Sequence, residues 1–170
     1  MLDTLNSFDW TQIDFIIELG THHGASAKLF KEKFCNKVYT VEISEDLYKK
    51  FSPELTSLGI NCLNAHSTDA LKEILAKEKG EYFIFFDAHS SQGDTSFHPD
   101  FGPFTSPAIT EIEACIGRPF LYCILDDFRD FQNLASYPKP NEVYEAIKKV
   151  GDYDYEISEF GNGQLICRRK

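Results

Sequence analysis

The stretch DFIIELGTHHGAS, residues 14–26, decides the fold. A short apolar run, Asp14–Leu19, stops at Gly20, as a buried strand closed by a turn does. From Gly24 to Cys35 (GASAKLFKEKFC) the apolar spacing is helical. Residues 14–35 therefore predict one strand–turn–helix unit. Gly20 permits a sharp turn and the close approach of a ligand to backbone, while Gly24 and Ala25 keep the helix near the strand. Backbone N–H groups at such a helix start can meet a carboxylate. Glu18 adds a negative charge, which suits an ammonium or sulfonium ligand.

Outward from this unit the alternation repeats. Val38–Ile43 predicts a strand, and Ser44 is a good N-cap for a helix reaching Leu58. Ile60–Leu63 reads as the third strand and Asp69–Lys79 as an amphipathic helix. Tyr82–Phe86 (YFIFF) suits a central parallel strand covered on both faces. Ser106–Ile116 predicts a helix with Ser106 as N-cap and Pro107 at the first helical position. Phe120–Leu125 is the fifth strand and Asn141–Val150 another helix. Tyr153–Phe160 and Gln164–Arg169 flank Gly161-Asn162-Gly163, a hairpin signal. The expected fold is α/β: a Rossmann-like, seven-stranded, mainly parallel sheet with a C-terminal antiparallel hairpin and helices on both faces, in one domain over residues 1–170.

Composition narrows the setting. A net charge of −10 argues against long-range attraction to nucleic acid or anionic lipid. Arg168-Arg169-Lys170 reads as a solvated basic tail. No apolar run approaches the roughly 20 residues of a membrane span, and MLDTLNSFDW lacks the form of a secretory signal. Cys35, Cys62, Cys115, Cys123 and Cys167 form no C-x-x-C pair, and Cys62, Cys123 and Cys167 sit in apolar runs. We expect a reducing, cytoplasmic interior with neither disulfides nor a zinc site.

In such sheets ligands bind at the carboxyl ends of the strands, where strand order reverses. A dinucleotide fingerprint would need G-x-G-x-x-G, but His22 stands at its third position, and Glu18 is a poor neighbour for a pyrophosphate. Glu42, at the end of the second strand, can accept two ribose hydroxyls. Strand–E-L-G-x-x-x-G-A-S–helix, then Val41-Glu42, resembles the class I methyltransferases that use S-adenosylmethionine (SAM), and the likeness extends over nearly the whole chain. It implies that Glu18 faces the methionine amine, that Gly20 and Thr21 line the methionine, with Gly24 in the same loop, and that Ser26 caps its carboxylate. It also implies that Glu42 holds the ribose. At the third strand end His66 replaces the family's carboxylate near the adenine, so Ser67 or Asp69 is left to make that contact. His22 and His23 read as loop packing.

Two further strands end in carboxylates: YFIFF runs into Asp87-Ala88-His89, and FLYCIL into Asp126-Asp127. Like charges at adjacent strand ends repel unless a cation or a shared proton intervenes. An oxygen-rich site suits Mg²⁺, Ca²⁺ or Mn²⁺. The arrangement resembles the divalent-metal-dependent O-methyltransferases, which implies Asp87, Asp126 and Asp127 as metal ligands. His89 is the candidate base for a hydroxyl acceptor. D-A-H-S-S-x-G-D-T, Pro107, Glu111-Ile112 and L-D-D-F together resemble a subset of small methyltransferase-like proteins. The plainer alternatives stay open: Asp87 lining the cofactor, Asp126 or Asp127 capping the next helix, His89 anchoring its loop. Glu111 and Glu113 read as a solvated helix face.

Ser90–Thr105 carries Phe97, His98, Phe101 and Phe104 among glycines and prolines, and reads as either a lid or a loop packed on the core. Leu2–Trp10 is either a small cap on the site or a homodimer contact. The leading expectation is a SAM-dependent O-methyltransferase acting on a small hydroxylated molecule, with divalent-metal assistance as an option. A non-catalytic SAM- or partner-binding module and a nicotinamide-dependent oxidoreductase are the competing readings.

Overall fold

The computed structural model describes residues 2–34, 37–89 and 106–170. The lid segment with Phe97, His98, Phe101 and Phe104, and also Cys35, lie outside the described residues. In chain order the elements are α1 (Leu2–Leu5), a 3-10 turn (Trp10–Gln12), β1 (Phe15–Leu19), α2 (Ala25–Lys33), β2 (Val38–Glu42), α3 (Glu45–Ser57), β3 (Asn61–Asn64) and α4 (Ser67–Lys77). Then come β4 (Tyr82–Phe86), α5 (Ala108–Ala114), β5 (Tyr122–Leu125), α6 (Phe128–Asn133), α7 (Pro140–Val150), β6 (Tyr153–Ser158) and β7 (Gln164–Arg169).

The seven strands form one sheet in the order β3-β2-β1-β4-β5-β7-β6. All neighbours are parallel except β5–β7 and β6–β7, so the predicted α/β architecture and terminal hairpin are both present. Alternation of side chains explains the two cores. Phe15, Ile17 and Leu19 pack with Leu71, Ile74, Ile112, Phe128 and Val143 on one face. Ile16, Phe83, Phe85 and Ile124 pack with Ala27, Phe30 and Leu55 on the other. The unbroken apolar strands FIIEL and YFIFF are thus covered on both sides.

Register places the site. Leu19 pairs with Val41 and Phe86, and Phe86 with Leu125, so the four strand ends lie in one row. The next residues, Gly20, Glu42, Asp87 and Asp126, therefore share one edge of the sheet. The chain steps outward from β1 to β3 and returns to β4, so the reversal in strand order falls between β1 and β4.

Several expectations are corrected. Helix α5 begins at Ala108 with Pro107 in the N-cap position, although Ser106 Oγ still accepts from Ala108 N at 3.3 Å. Helix α4 starts two residues early, because His66 Nδ1 accepts from the Thr68 amide and serves as N-cap. Leu2–Trp10 does not cap the site. Phe8 stacks on Tyr122 and packs on Phe83, both at the amino ends of their strands, which is the opposite edge of the sheet. Arg168 and Arg169 form no tail: they belong to β7 and pair with Glu156 and Glu81. Cys62, Cys115, Cys123 and Cys167 are free thiols. Among the described residues no helix is long and apolar enough to cross a membrane.

Candidate active site

The loop after β1 is built around two left-handed glycines. Gly20 has φ +97°, and a Cβ there would lie 2.4 Å from the Asp87 carbonyl oxygen, so this position holds β1 and β4 close together. Gly24 has φ +74° and begins α2, with its amide donating to Thr21 O at 2.7 Å. The Gly20 and Thr21 amides both donate to Val41 O at 3.0 Å. His22 and His23 stack at 3.8 Å, with His23 against Phe51, as loop packing predicts. Ser26 lies half-buried in the first turn of α2.

Below this loop, Glu18 is buried on the α2 side of the sheet. Thr40 Oγ1 donates to Glu18 Oε2, and the Thr40 and Thr21 hydroxyls meet at 2.6 Å. Burial pushes the Glu18 carboxyl up to about 8, against the Thr40 hydrogen bond and with help from the Asp87 charge. Its folded value lies above its unfolded 4.5, so its stabilisation is full below pH 4.5 and is lost as pH rises through about 8. Glu111, also raised to about 8, has the same sign. The ligand-free melting temperature is therefore expected to fall between pH 5 and pH 9, and less so in Glu18→Gln. A pH series of thermal melts showing a flat or rising trend would refute this.

Glu42 is engaged on both oxygens. Oε2 accepts from the His22 amide and Oε1 from the Ser44 amide, each at 2.8 Å. Each carboxylate oxygen can accept more than one hydrogen bond, so Glu42 keeps acceptor capacity for a diol. At the β3 end, Asp69 is exposed, whereas Ser67 is buried at the start of α4 and lies beside Glu111.

The second constellation gathers at the ends of β4 and β5. His89 Nε2 lies 2.9 Å from Asp127 Oδ2, and Nδ1 lies 3.4 Å from Asp87 Oδ1. The two carboxylates keep 29% of their side-chain surface exposed, while the imidazole keeps 11% and lies beneath them. Burial works against the imidazolium, but the Asp127 hydrogen bond and the charges of Asp87, Asp127 and Asp126 outweigh it, and the His89 pKa is raised. Burial likewise pushes the Asp87 carboxyl up, with the Asp126 and Asp127 charges adding to it and His89 opposing. In this arrangement His89 is the charge partner of two acids.

Asp127 stands at the N-cap of α6 but makes no side-chain capping bond. Its backbone is left-handed, at φ 52°, and its carboxylate goes to His89 instead. The terminal hairpin fixes this turn. The Phe128 and Arg129 amides donate to Gly163 O and Asn162 O, and Gln164 Nε2 donates to Asp126 Oδ1 at 3.0 Å. Asp126 Oδ1 also accepts from the Asp127 amide. One ligand atom each from Asp87, His89 and Asp127 lies within 4.8 Å of the others, and this is the group among the described residues that could hold a metal; Asp126 is not part of it. Two carboxylates and an imidazole are a plausible donor set for a divalent ion.

Glu111 corrects the expectation of a solvated helix face. It is 1% exposed, while Glu113 on the same helix is only half-buried and pairs with Lys149. The sequence carried a signal for this: Ala108, Glu111, Ile112 and Cys115 follow the i, i+3, i+4, i+7 spacing of one buried stripe.

No protein-family model matches the sequence, and no curated protein is detectably similar. Solved structures are similar in shape. A caffeoyl-CoA O-methyltransferase candidate from Staphylococcus aureus matches with TM-score 0.64 and 17% identity, covering 99% of this chain and 82% of that one. The fold is that of the class I methyltransferases. The methyltransferase PaMTH1 of Podospora anserina, solved with S-adenosylhomocysteine (SAH), gives TM-score 0.59 and 17% identity over 92% of this chain and 72% of that one. SMU.1697c, a methyltransferase candidate from Streptococcus mutans in complex with SAH, gives 0.58 and 13% over 99% and 97%. A methyltransferase fold by itself does not assign the acceptor.

Proposed function

We propose that this protein transfers a methyl group from SAM to a hydroxyl oxygen of a small molecule, aided by a divalent cation. The observation that carries this reading is the row of strand ends. It sets the Glu42 carboxylate beside the β1 loop and the Asp87–His89–Asp127 cluster across the β1/β4 reversal point. Gly20, Thr21, Gly24 and Ser26 would line the methionine end, Glu18 would face its ammonium through the Thr40–Thr21 hydroxyls, and Glu42 would hold the ribose. Ser67 would approach the adenine.

The reaction needs an acceptor oxygen aligned with the methyl carbon, opposite the sulfur. The new O–C bond forms as the C–S bond breaks, SAH leaves, and the hydroxyl proton passes to a base. A bound divalent ion would lower the pKa of that hydroxyl. Asp87, His89 and Asp127 would hold the ion, and since an imidazole bound to it has no free lone pair, the hydroxyl proton would pass to solvent water. A non-catalytic SAM-binding module is the second reading. The placement of His66 in the α4 cap, where the resemblance leads one to expect a carboxylate, favours it.

Calorimetric titration with SAH should give saturable binding. Glu42→Gln, which keeps one acceptor oxygen for the loop amides, should weaken that binding roughly 10- to 100-fold, about 1.4–2.8 kcal/mol. Absence of saturable binding would sink the reading. Transfer of labelled methyl from SAM to hydroxylated acceptors, with and without chelator, separates the enzyme from the module.

A further inference from the structure

The centre at the ends of β4 and β5 has features that an all-oxygen Mg²⁺ site lacks. One of its three donors is an imidazole, held under two carboxylates. Mg²⁺ and Ca²⁺ favour oxygen donors, whereas imidazole suits Fe²⁺, Ni²⁺ or Zn²⁺ far better, with Mn²⁺ the most oxygen-loving and weakest-binding member of that first-row series.

A second observation comes from α5. Glu111 is 1% exposed, and its Oε1 has no hydrogen-bond partner. Ser67 Oγ, buried beside it, also lacks one. Glu111 lines a narrow crevice with Asp87, His89, Ser106 and Asp126, and among the described residues no Lys or Arg lines it. Both Asp87 and His89 are close enough for their charges to act on Glu111. A carboxyl group buried with one oxygen unpartnered is costly, and its helix neighbours Ala108 and Ile112 show that apolar residues are accepted on this face. The cost is offset if a cation and its ligands supply the missing charge and donor. A metal-bound histidine typically donates its other ring N–H to an outer carboxylate.

We propose that Asp87, His89 and Asp127 bind a first-row divalent transition ion in preference to Mg²⁺, with Glu111 as the positioning acid behind them. This rests on the cation centre of the proposed function, not on its methyl donor.

The test uses the full chain stripped with a chelator and titrated calorimetrically with MnCl₂ and, separately, MgCl₂. Mn²⁺ should bind at least about tenfold more tightly than Mg²⁺. Co²⁺ should give visible absorption bands that change in His89→Asn, and that variant should lose the preference for Mn²⁺. Glu111→Gln, equal in volume, should weaken Mn²⁺ binding roughly 10- to 100-fold. No saturable Mn²⁺ binding, equal affinity for both ions, or a Co²⁺ spectrum unaltered in His89→Asn overturns the site. Wild-type affinity in Glu111→Gln overturns the role of Glu111. Should a variant not fold, the wild-type Mn²⁺/Mg²⁺ ratio still decides the site, and Glu111→Ala tests the acid. SAH titrated into the same preparations keeps the two proposals apart, since loss of either binding leaves the other standing.

Discussion

Gly20→Ala is expected to destabilise the protein by roughly 2–5 kcal/mol and to abolish saturable SAH binding. Two costs add. At φ +97° an L side chain is strained wherever it sits. The new methyl would also stand 2.4 Å from the Asp87 carbonyl oxygen, 2.7 Å from its carbon and 3.0 Å from the Ala88 nitrogen. These are backbone atoms of the neighbouring strand end, so no rotamer change relieves the clash, and β1 and β4 must part where the site lies. At about 2–4 °C per kcal/mol for a chain of this size, the melting temperature should drop by roughly 4–20 °C. Gly117→Ala is the control. It has φ +84° with nothing within 4 Å of a built Cβ, so it carries the strain alone, about 1–2 kcal/mol. If the two variants melt together, the close approach of β1 to β4 is not what Gly20 provides.

How far these features can be read without coordinates depends on their range. The strand–glycine–helix unit at residues 14–26 is local, and apolar run length with glycine placement suffices to predict β1 and α2. The hairpin around Gly161-Asn162-Gly163 is local for the same reason. Helix α6 is too short for periodicity to reveal: Phe128 and Phe131 are its only buried pair, and its start is held by the Gly163 and Asn162 carbonyls of the distant hairpin. Asp87, His89 and Asp127 stand out as strand-end residues, but that Asp126 turns to Gln164 while Asp127 turns to His89 depends on that same distant hairpin. Glu111 was within reach of helical spacing. A lone acid beside Glu113 looks solvated until the whole stripe from Ala108 to Cys115 is laid out.

Asp127→Gly is expected to lower methyl transfer by about 10²–10³-fold while changing stability by no more than about 1–2 kcal/mol. The residue is costly where it stands. Its φ of 52° is rare for a side-chain-bearing residue, and it leaves the α6 N-cap without a side-chain acceptor. Glycine removes that strain. It also removes a negative charge from a group where Asp87 and Asp126 already carry raised pKa values. Against this stands the loss of the 2.9 Å bond to His89, which keeps its contact with Asp87. These contributions oppose one another and largely cancel in stability. They do not cancel in function, because the carboxylate is one of the three groups proposed to hold the cation and helps raise the His89 pKa. Asp127→Asn, which keeps the shape and tolerates the left-handed backbone, should lose activity almost as fully, since it lacks the charge. Thermal melts and single-turnover methyl transfer on both variants decide the matter. A Gly variant that unfolds would make Asp127 a structural residue, and an Asn variant with full activity would take the negative charge out of the mechanism.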